Sequence, residues 1–228
     1  ETFNIFPTTI YVGEMVDHQK YKEEFNKVYP KYDYEETSWD NTVSENLGKP
    51  FIHLEDNLDS LFYEISLHAK KYVCDILEYK DIFDYVITKS WLSRARRPDN
   101  EIRWHFHSTS HISFVYYLST PDNSHTLEFQ NTCTKNDLFK AMNVEDEDTA
   151  DRNMVKNYNP LNSPAFYMHP IEGSLALFPS SLSHHTRFMG GDFKGERLGI
   201  VGDITLMLKE DQLNFSMGYI DNKYWKKY

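Results

Sequence analysis

The sequence WHFHSTSHISFVYYLS, residues 104–119, carries the pattern on which the interpretation of this chain depends. It opens with an H-x-H pair, His105 and His107, and continues into a run of β-branched and aromatic residues from Ile112 to Ser119 that is typical of a strand. Residues at positions i and i+2 of a strand point to the same face. If the pair also lies on a strand, both imidazoles can bind one metal ion.

A second histidine pair, His184 and His185, follows the segment FPSSLS at residues 178–183. It can supply a third ligand from another strand, but neighbouring strand residues face opposite ways, so only one of the two can face the metal. Histidine ligands without a thiolate favour a transition metal over magnesium or calcium. The ligand set alone leaves open hydrolysis by zinc and oxygen chemistry by iron.

Segments with strand-like composition recur along the second half of the chain. They cover residues 85–93, 104–107, 112–119, 126–130, 174–178, 186–189 and 197–207. Short strands that are separated by turns and preceded by helices predict a mainly β fold with flanking α-helices, either an antiparallel β-barrel or a double-sheet jelly roll.

The helices are predicted in the first part of the chain. Apolar residues recur at three- and four-residue steps over 58–77, which predicts a long helix that packs on the sheet, with Asp56 or Asn57 as its N-cap. A polar helix is expected near residues 17–29, after a first strand at residues 3–12 in which Pro7 favours an edge position or a strand start.

We expect a single domain over residues 1–228. Its parts are a helical N-terminal region at about 13–80, a barrel at about 84–208 and, within the barrel, an insertion at about 134–168. The insertion is long, polar and acidic, so it is either a disordered loop or a lid over the site.

Charge and composition narrow the possible partners and compartment. With 24 basic and 35 acidic residues the net charge is -11, which disfavours nucleic acid. The sequence has no long apolar run and no signal-type segment, so it does not predict a membrane association. Its two cysteines, Cys74 and Cys133, fit a reducing, cytoplasmic compartment. The arginines of the segment 94–103 either guide an anionic substrate or form a solvated loop.

Five segments, in this order, resemble a known family. They are FIHLEDNLDSLFYEI, ITKSWLSRA, HFHSTSHISFVYYLSTP, GSLALFPSSLSHHT and GERLGIVGDI. The chain resembles uncharacterised 2-oxoglutarate and Fe(II)-dependent oxygenases that are related to the prolyl hydroxylases. The resemblance implies a double-stranded β-helix, which is a jelly-roll or cupin-like barrel, and a non-haem dioxygenase that uses Fe(II), 2-oxoglutarate and O2.

The resemblance also implies roles for individual residues. His105, His107 and His184 correspond to the metal positions, with His185 as the alternative distal ligand. This family usually has two histidines and one carboxylate, so His107 departs from the pattern.

For the co-substrate, Arg197 corresponds to the arginine that pairs with the distal carboxylate of 2-oxoglutarate. Tyr116 and Tyr117 correspond to a Tyr-Tyr pair of which one member can contact the co-substrate. Two departures, Gly199 for a serine and Phe114 for a glycine, lie close to these positions.

The expected reaction hydroxylates a small molecule or a protein or peptide side chain, while 2-oxoglutarate is decarboxylated to succinate. Two alternatives come from other classes of protein. A cupin-type dioxygenase or isomerase would need no 2-oxoglutarate and could use His111 as a ligand, and a non-catalytic jelly roll would only bind a partner. A homodimer is compatible with the resemblance, and the aromatic tail at residues 219–228 could pack on a partner.

Overall fold

Two antiparallel sheets form the centre of the fold. The computed structural model describes residues 7–32, 51–131, 156–157, 159–212 and 226. The strands are β1 (Tyr11–Glu14), β2 (Phe83–Ala95), β3 (Ile112–Ser119), β4 (Thr126–Gln130), β5 (Ala165–Met168), β6 (Ser174–Pro179), β7 (His184–Arg187) and β8 (Arg197–Leu208). The major sheet has the order β1-β6-β3-β8-β2, and the minor sheet has the order β5-β4-β7.

Alternation along the strands divides the major sheet into two faces. On the outer face, Phe114, Tyr116 and Ile200 belong to the large core beneath the helices. On the inner face, Val115 and Tyr117 pack with residues of the minor sheet in a second, smaller core. The two sheets therefore face each other, which is the arrangement of a jelly roll.

The helices cover the outer face of the major sheet. They are α1 (His18–Val28) and α2 (Asp59–Lys70), and α2 continues into a π-helical turn at Lys71–Ile76. The buried side chains of α2 recur at helical spacing and are Leu61, Phe62, Ile65 and Ala69. The predicted long helix is confirmed in extent, but Asp56 and Asn57 lie in a 3-10 turn and Leu58 is the N-cap of α2.

The observed strands confirm the predicted mainly β, jelly-roll fold class with flanking helices. In the described residues the two sheets are not joined into a closed barrel. Two predicted strands differ from the structure. Within residues 104–107 only His105 makes a β-bridge, to His184, and in the described part of the predicted strand 3–12 only Tyr11 and Val12 belong to a strand, β1. The end of the predicted insertion contains β5, which pairs with β4.

Several predicted features lie outside the described residues. They are the start of the first strand at residues 3–6, most of the insertion at 134–155, Cys133, and the aromatic tail at 219–228 apart from Lys226. Among the helices that the structure describes, none has the length and apolar character needed to cross a membrane.

Candidate metal centre and co-substrate pocket

Three of the predicted metal residues meet at one end of the space between the sheets. His105 and His184 form a β-bridge in which each backbone N–H donates to the carbonyl of the other residue, at 3.0 and 2.9 Å. The backbone N–H of His107 donates to the carbonyl of Ser180, at 2.8 Å. The H-x-H segment therefore continues the edge of the minor sheet although it forms no regular strand.

The potential ligand atoms of His105, His107 and His184 all lie within 4.8 Å of one another. The ring centroids are 4.3 Å apart for His105 and His184, and 5.2 Å apart for His107 and His184. Imidazoles at this separation can converge on one transition-metal ion, which requires nitrogen ligands at about 2.0–2.1 Å. The donor set fits such an ion.

Hydrogen bonds select the nitrogen of each ring that faces the shared space. Nδ1 of His105 donates to the carbonyl of Arg103 at 2.7 Å, and Nδ1 of His184 donates to the carbonyl of Leu182 at 2.8 Å. Nδ1 of His107 donates to Oδ1 of Asp203 at 2.5 Å. Because each Nδ1 carries the proton in these bonds, Nε2 has the lone pair that a metal needs.

A buried polar network surrounds His107. The hydroxyl of Ser113 lies 3.0 Å from Nδ1 of His107 and donates to Oδ1 of Asp203 at 3.1 Å. It also contacts the Ser180 hydroxyl at 3.0 Å. The indole of Trp91 lies 5.5 Å from the His107 ring, between centroids, so the ring has both polar and apolar neighbours.

Burial keeps two of the three imidazoles neutral. Burial, together with the smaller effects of the neighbouring His105 and His107, lowers the pKa of His184 to about 3. Burial also lowers the pKa of His105. A metal binds the neutral form of imidazole, so these environments favour metal binding over protonation.

The structure separates His184 from His185. His185 points to the other side of β7, where its Nε2 lies 2.8 Å from Oε2 of Glu128 and its ring stacks on Trp104 at 3.8 Å between centroids. As strand alternation predicts, only one of the two faces the cluster; it is His184, the residue that the resemblance implies, and His185 belongs to a separate contact.

Arg197 and Tyr117 lie together on the inner face of the major sheet. The guanidinium carbon of Arg197 is 5.4 Å from the centroid of the Tyr117 ring, and both side chains are buried. Nε of Arg197 and the hydroxyl of Tyr117 have no hydrogen-bond partner among the described residues. Burial raises the pKa of Tyr117, and the charge of Arg197 opposes this rise.

The charge of Arg197 also acts on His125 of the minor sheet. His125 directly precedes β4 and shares the inward face with Leu127 and Phe129. Its Nε2 donates to the carbonyl of Pro98 at 3.0 Å, whereas its buried Nδ1 has no partner in the described part of the chain. Burial lowers the pKa of His125, and so does the nearby charge of Arg197. Buried groups of this kind, without a partner among the described residues, fit a polar ligand.

The structure corrects the assignment of Tyr116 to the co-substrate. Tyr116 points to the outer face of the major sheet, because it alternates with Tyr117 along β3. There its hydroxyl lies 2.8 Å from Nδ1 of His18 on α1. Tyr116 therefore belongs to the contact between sheet and helix.

Two other candidates also lie away from the clustered histidines. The exposed His111, the possible ligand of a cupin-type enzyme, accepts a hydrogen bond from the backbone N–H of Leu206 at 3.0 Å and is not part of the cluster. In the basic segment 94–103, Arg96 pairs with Glu196 at 2.6 Å and Arg97 pairs with Asp99 at 3.0 Å. These arginines stabilise local structure.

Sequence reasoning missed three residues of this region, namely Ser113, His125 and Asp203. Ser113 and Asp203 lie opposite each other on β3 and β8, and both face inward. The alternation that places Arg197 on the inner face also places Asp203 there, so strand pairing could have found it. No local pattern marked His125, because Arg197, whose charge acts on it, belongs to the other sheet.

Comparison with known proteins supports the same family as the quoted segments. A family model with the description "Putative 2OG-Fe(II) oxygenase" matches residues 89–203, which include all three clustered histidines and Arg197. No curated protein matches the sequence.

Solved structures of low sequence identity share the fold. A Pseudomonas putida prolyl-4-hydroxylase is 12% identical, with 87% of this chain and 92% of that chain covered and a TM-score of 0.51. The non-haem α-ketoglutarate-dependent epimerase SnoN from nogalamycin biosynthesis is 12% identical, with 91% and 84% covered and a TM-score of 0.52. AviO1 from Streptomyces viridochromogenes Tue57 is 12% identical, with 87% and 90% covered and a TM-score of 0.52.

The family match spans half of the chain and includes the residues that meet between the two sheets. The chain therefore belongs to the 2-oxoglutarate and Fe(II)-dependent oxygenase family, a class of non-haem iron oxidoreductases that use 2-oxoglutarate as co-substrate.

Proposed function

We propose that His105, His107 and His184 are the Fe(II) ligands of this oxygenase and that each binds through Nε2. The support is the single cluster of three imidazoles within 4.8 Å in the described residues, together with an oxygen acceptor at every Nδ1. Such acceptors fix the tautomer and orientation of a ligating histidine. His185 is excluded from this role because it faces Glu128.

We further propose that Arg197 binds the distal carboxylate of 2-oxoglutarate, with Tyr117 and His125 as neighbours of the same group. A buried guanidinium without a carboxylate partner in the described residues is costly unless a ligand supplies one. Gly199, which lacks the serine hydroxyl of the family, pairs with Tyr117 across β3 and β8. The Tyr117 hydroxyl is therefore available where that serine is missing.

The chemistry of the proposed reaction comes from the bound group. Fe(II), 2-oxoglutarate and O2 together supply the oxidising power, and 2-oxoglutarate and O2 are consumed as a substrate C–H becomes C–OH with release of succinate and CO2. The protein keeps the imidazoles of His105 and His184 neutral, anchors the co-substrate through Arg197 and limits water with the apolar walls of Trp91 and Phe178.

The family acts on small molecules or peptides. Here we propose that the substrate approaches past Trp104 and Phe106, which are both exposed beside the clustered histidines. Exposed aromatic side chains at the border of a site favour contact with apolar or planar groups. The net charge of -11 supports a substrate other than nucleic acid.

Domain number, compartment and assembly remain proposals. We propose one domain over the chain, because the two described sheets and both helices share contiguous cores. Two cysteines in 228 residues support a reducing, cytoplasmic compartment. A homodimer is a prediction that sedimentation of the purified protein would test.

An anaerobic Fe(II) titration with and without 2-oxoglutarate tests the function. Chelation of Fe(II) by the keto acid gives a visible charge-transfer band, and we expect this band in the wild-type protein. In Arg197→Ala we expect the affinity for 2-oxoglutarate to fall by about 100-fold, because a buried charge-assisted pair is worth about 3 kcal/mol.

The matched control is Arg97→Ala, which removes an exposed arginine that pairs with Asp99. We expect its affinity for 2-oxoglutarate to equal that of the wild type. Tight metal binding without any band in the wild type would contradict a 2-oxoglutarate-dependent function. An unchanged band in Arg197→Ala would contradict only the role of Arg197.

A further inference from the structure

A buried carboxylate lies directly behind one of the proposed iron ligands. Asp203 is 3% exposed and its Oδ1 accepts hydrogen bonds from Nδ1 of His107 at 2.5 Å and from the Ser113 hydroxyl at 3.1 Å. Asp203 and Ser113 are cross-strand neighbours on β8 and β3, at the centre of the major sheet. The position of the carboxylate is therefore determined by regular strand pairing.

The coordination sphere proposed above contains no carboxylate. Non-haem Fe(II) oxygenases of the common type use two histidines and one carboxylate, whose negative charge partly neutralises the metal. Three neutral imidazoles leave the full charge of Fe(II) to be balanced by other groups. Among the described residues, Asp203 is the carboxylate that directly contacts one of the three clustered histidines, namely His107.

We infer that Asp203 is a positioning residue that supplies this missing negative charge through the His107 ring and fixes that ring with Nε2 toward the metal. The inference rests on the proposed function, because it requires His107 to bind the metal. A hydrogen-bonded carboxylate increases the electron donation of an imidazole to a metal, and removal of such partners weakens metal binding by about 10- to 100-fold. The chain thus provides one carboxylate near the proposed metal site, but this carboxylate contacts a ligand and not the ion itself.

The surroundings of Asp203 support this role over a purely structural one. Its Oδ1 accepts hydrogen bonds from His107 and from Ser113, and Ser113 itself contacts His107. The two side-chain hydrogen bonds that Oδ1 of Asp203 accepts therefore come from the proposed metal ligand and from a residue in contact with it.

Asp203→Asn is the variant that isolates the charge. An asparagine has nearly the same shape, and its Oδ1 can still accept the hydrogen bond from His107, so the tautomer of the ring is preserved. The measurement is an anaerobic titration of the whole chain with Fe(II) or Co(II) alone, in the absence of 2-oxoglutarate. We expect the metal Kd to rise by about 10- to 100-fold, while the thermal midpoint of the metal-free protein changes little.

Glu128→Gln provides a matched control. Glu128 makes the same kind of contact, at 2.8 Å, but with His185, which lies outside the cluster. We expect the metal Kd of this variant to equal that of the wild type. If Asp203→Asn does not fold, Ser113→Ala carries the test, because it keeps the carboxylate but removes one hydrogen bond that holds it, and we expect about tenfold weaker metal binding.

The outcomes separate this inference from the proposed function. A wild-type protein that binds no metal would overturn the proposed ligand set. Wild-type metal binding together with an unchanged Kd in Asp203→Asn, or in Ser113→Ala if that variant carries the test, would overturn only the role of Asp203. Equal losses in Asp203→Asn and Glu128→Gln would also overturn it, since any buried carboxylate would then have the same effect.

Discussion

The acceptors of the three clustered histidines differ in their distance along the chain. His105 and His184 each donate to the carbonyl two residues earlier, so their orientation follows from local backbone geometry. His107 donates to Asp203, which is remote in sequence. The first two orientations persist wherever the local backbone is formed, whereas that of His107 also requires β3 and β8 to be paired.

The pair His184 and His185 allows a direct test at the scale of one residue. Removal of a hydrogen-bond partner of a metal ligand weakens metal binding by roughly 10- to 100-fold. We expect a larger increase in the metal Kd for His184→Ala, because this substitution removes a ligand itself. His185→Ala is the matched control, because its ring stacks on Trp104 and pairs with Glu128 instead. Isothermal titration with Co(II) measures both affinities. Equal weakening by the two substitutions would argue against His184 as the distal ligand.

Strand β8 carries residues of both the proposed co-substrate pocket and the proposed metal centre. It pairs with β2 along its length and with β3 over Leu198–Ile204, and it has Arg197 and Asp203 on its inner face. Its outer face contains Gly202, which lies opposite Phe114 of β3, and a Cβ at Gly202 would lie 2.5 Å from the carbonyl of Lys89 and from the Phe114 ring. Phe114, which replaces a glycine of the family, is accommodated because residue 202 has no side chain.

This packing predicts different costs for two glycines of β8. Gly202→Ala forces the Phe114 ring and the Lys89 backbone apart, so we expect a loss of about 1–3 kcal/mol in the free energy of unfolding. Gly199→Ala has its nearest contact at 3.3 Å, to the carbonyl of Tyr116, and we expect a smaller loss. Urea denaturation of the metal-free proteins measures both. A larger loss in Gly199→Ala would contradict the proposed packing of β8.

On the scale of the whole molecule, burial of histidines links stability to pH. Burial is the main cause that lowers the pKa of five histidines, namely His53, His68, His105, His125 and His184. They are distributed over the outer core, the metal centre and the co-substrate pocket. Each must stay neutral in the folded protein at a pH where the unfolded chain is already protonated.

We therefore expect the metal-free protein to lose stability as the pH falls from 7 to 5. Below about pH 6.5 the unfolded chain takes up protons that the folded histidines do not, so protonation favours unfolding, and His184 alone contributes about 2 kcal/mol over this range. Glu55, Asp81 and Glu172, whose pKa values are lowered, act only at more acidic pH. Urea denaturation at both pH values, with a chelator present, measures the change. Equal or greater stability at pH 5 would contradict it.

Local sequence determined most of the central strands and the long helix, and together with the family resemblance it led to the proposed ligands. The run from Ile112 to Ser119 was predicted as a strand with the bounds that the structure has. Alternation in β7 separated His184 from His185, and alternation in β3 separated Tyr116 from Tyr117, although which tyrosine faces inward required the structure. These features depend on residues that are adjacent in the sequence, so a short sequence pattern is enough to predict them.

Only the tertiary structure decided which remote residues meet. Asp203 reaches His107 because β8 pairs with β3, and the charge of Arg197 acts on His125 because the minor sheet faces the major one. The H-x-H segment was predicted as a strand, yet it forms one bridge to β7 while its histidines still converge. Such contacts depend on the packing of two sheets, so residues far apart in the chain become neighbours without any signal in their local sequence.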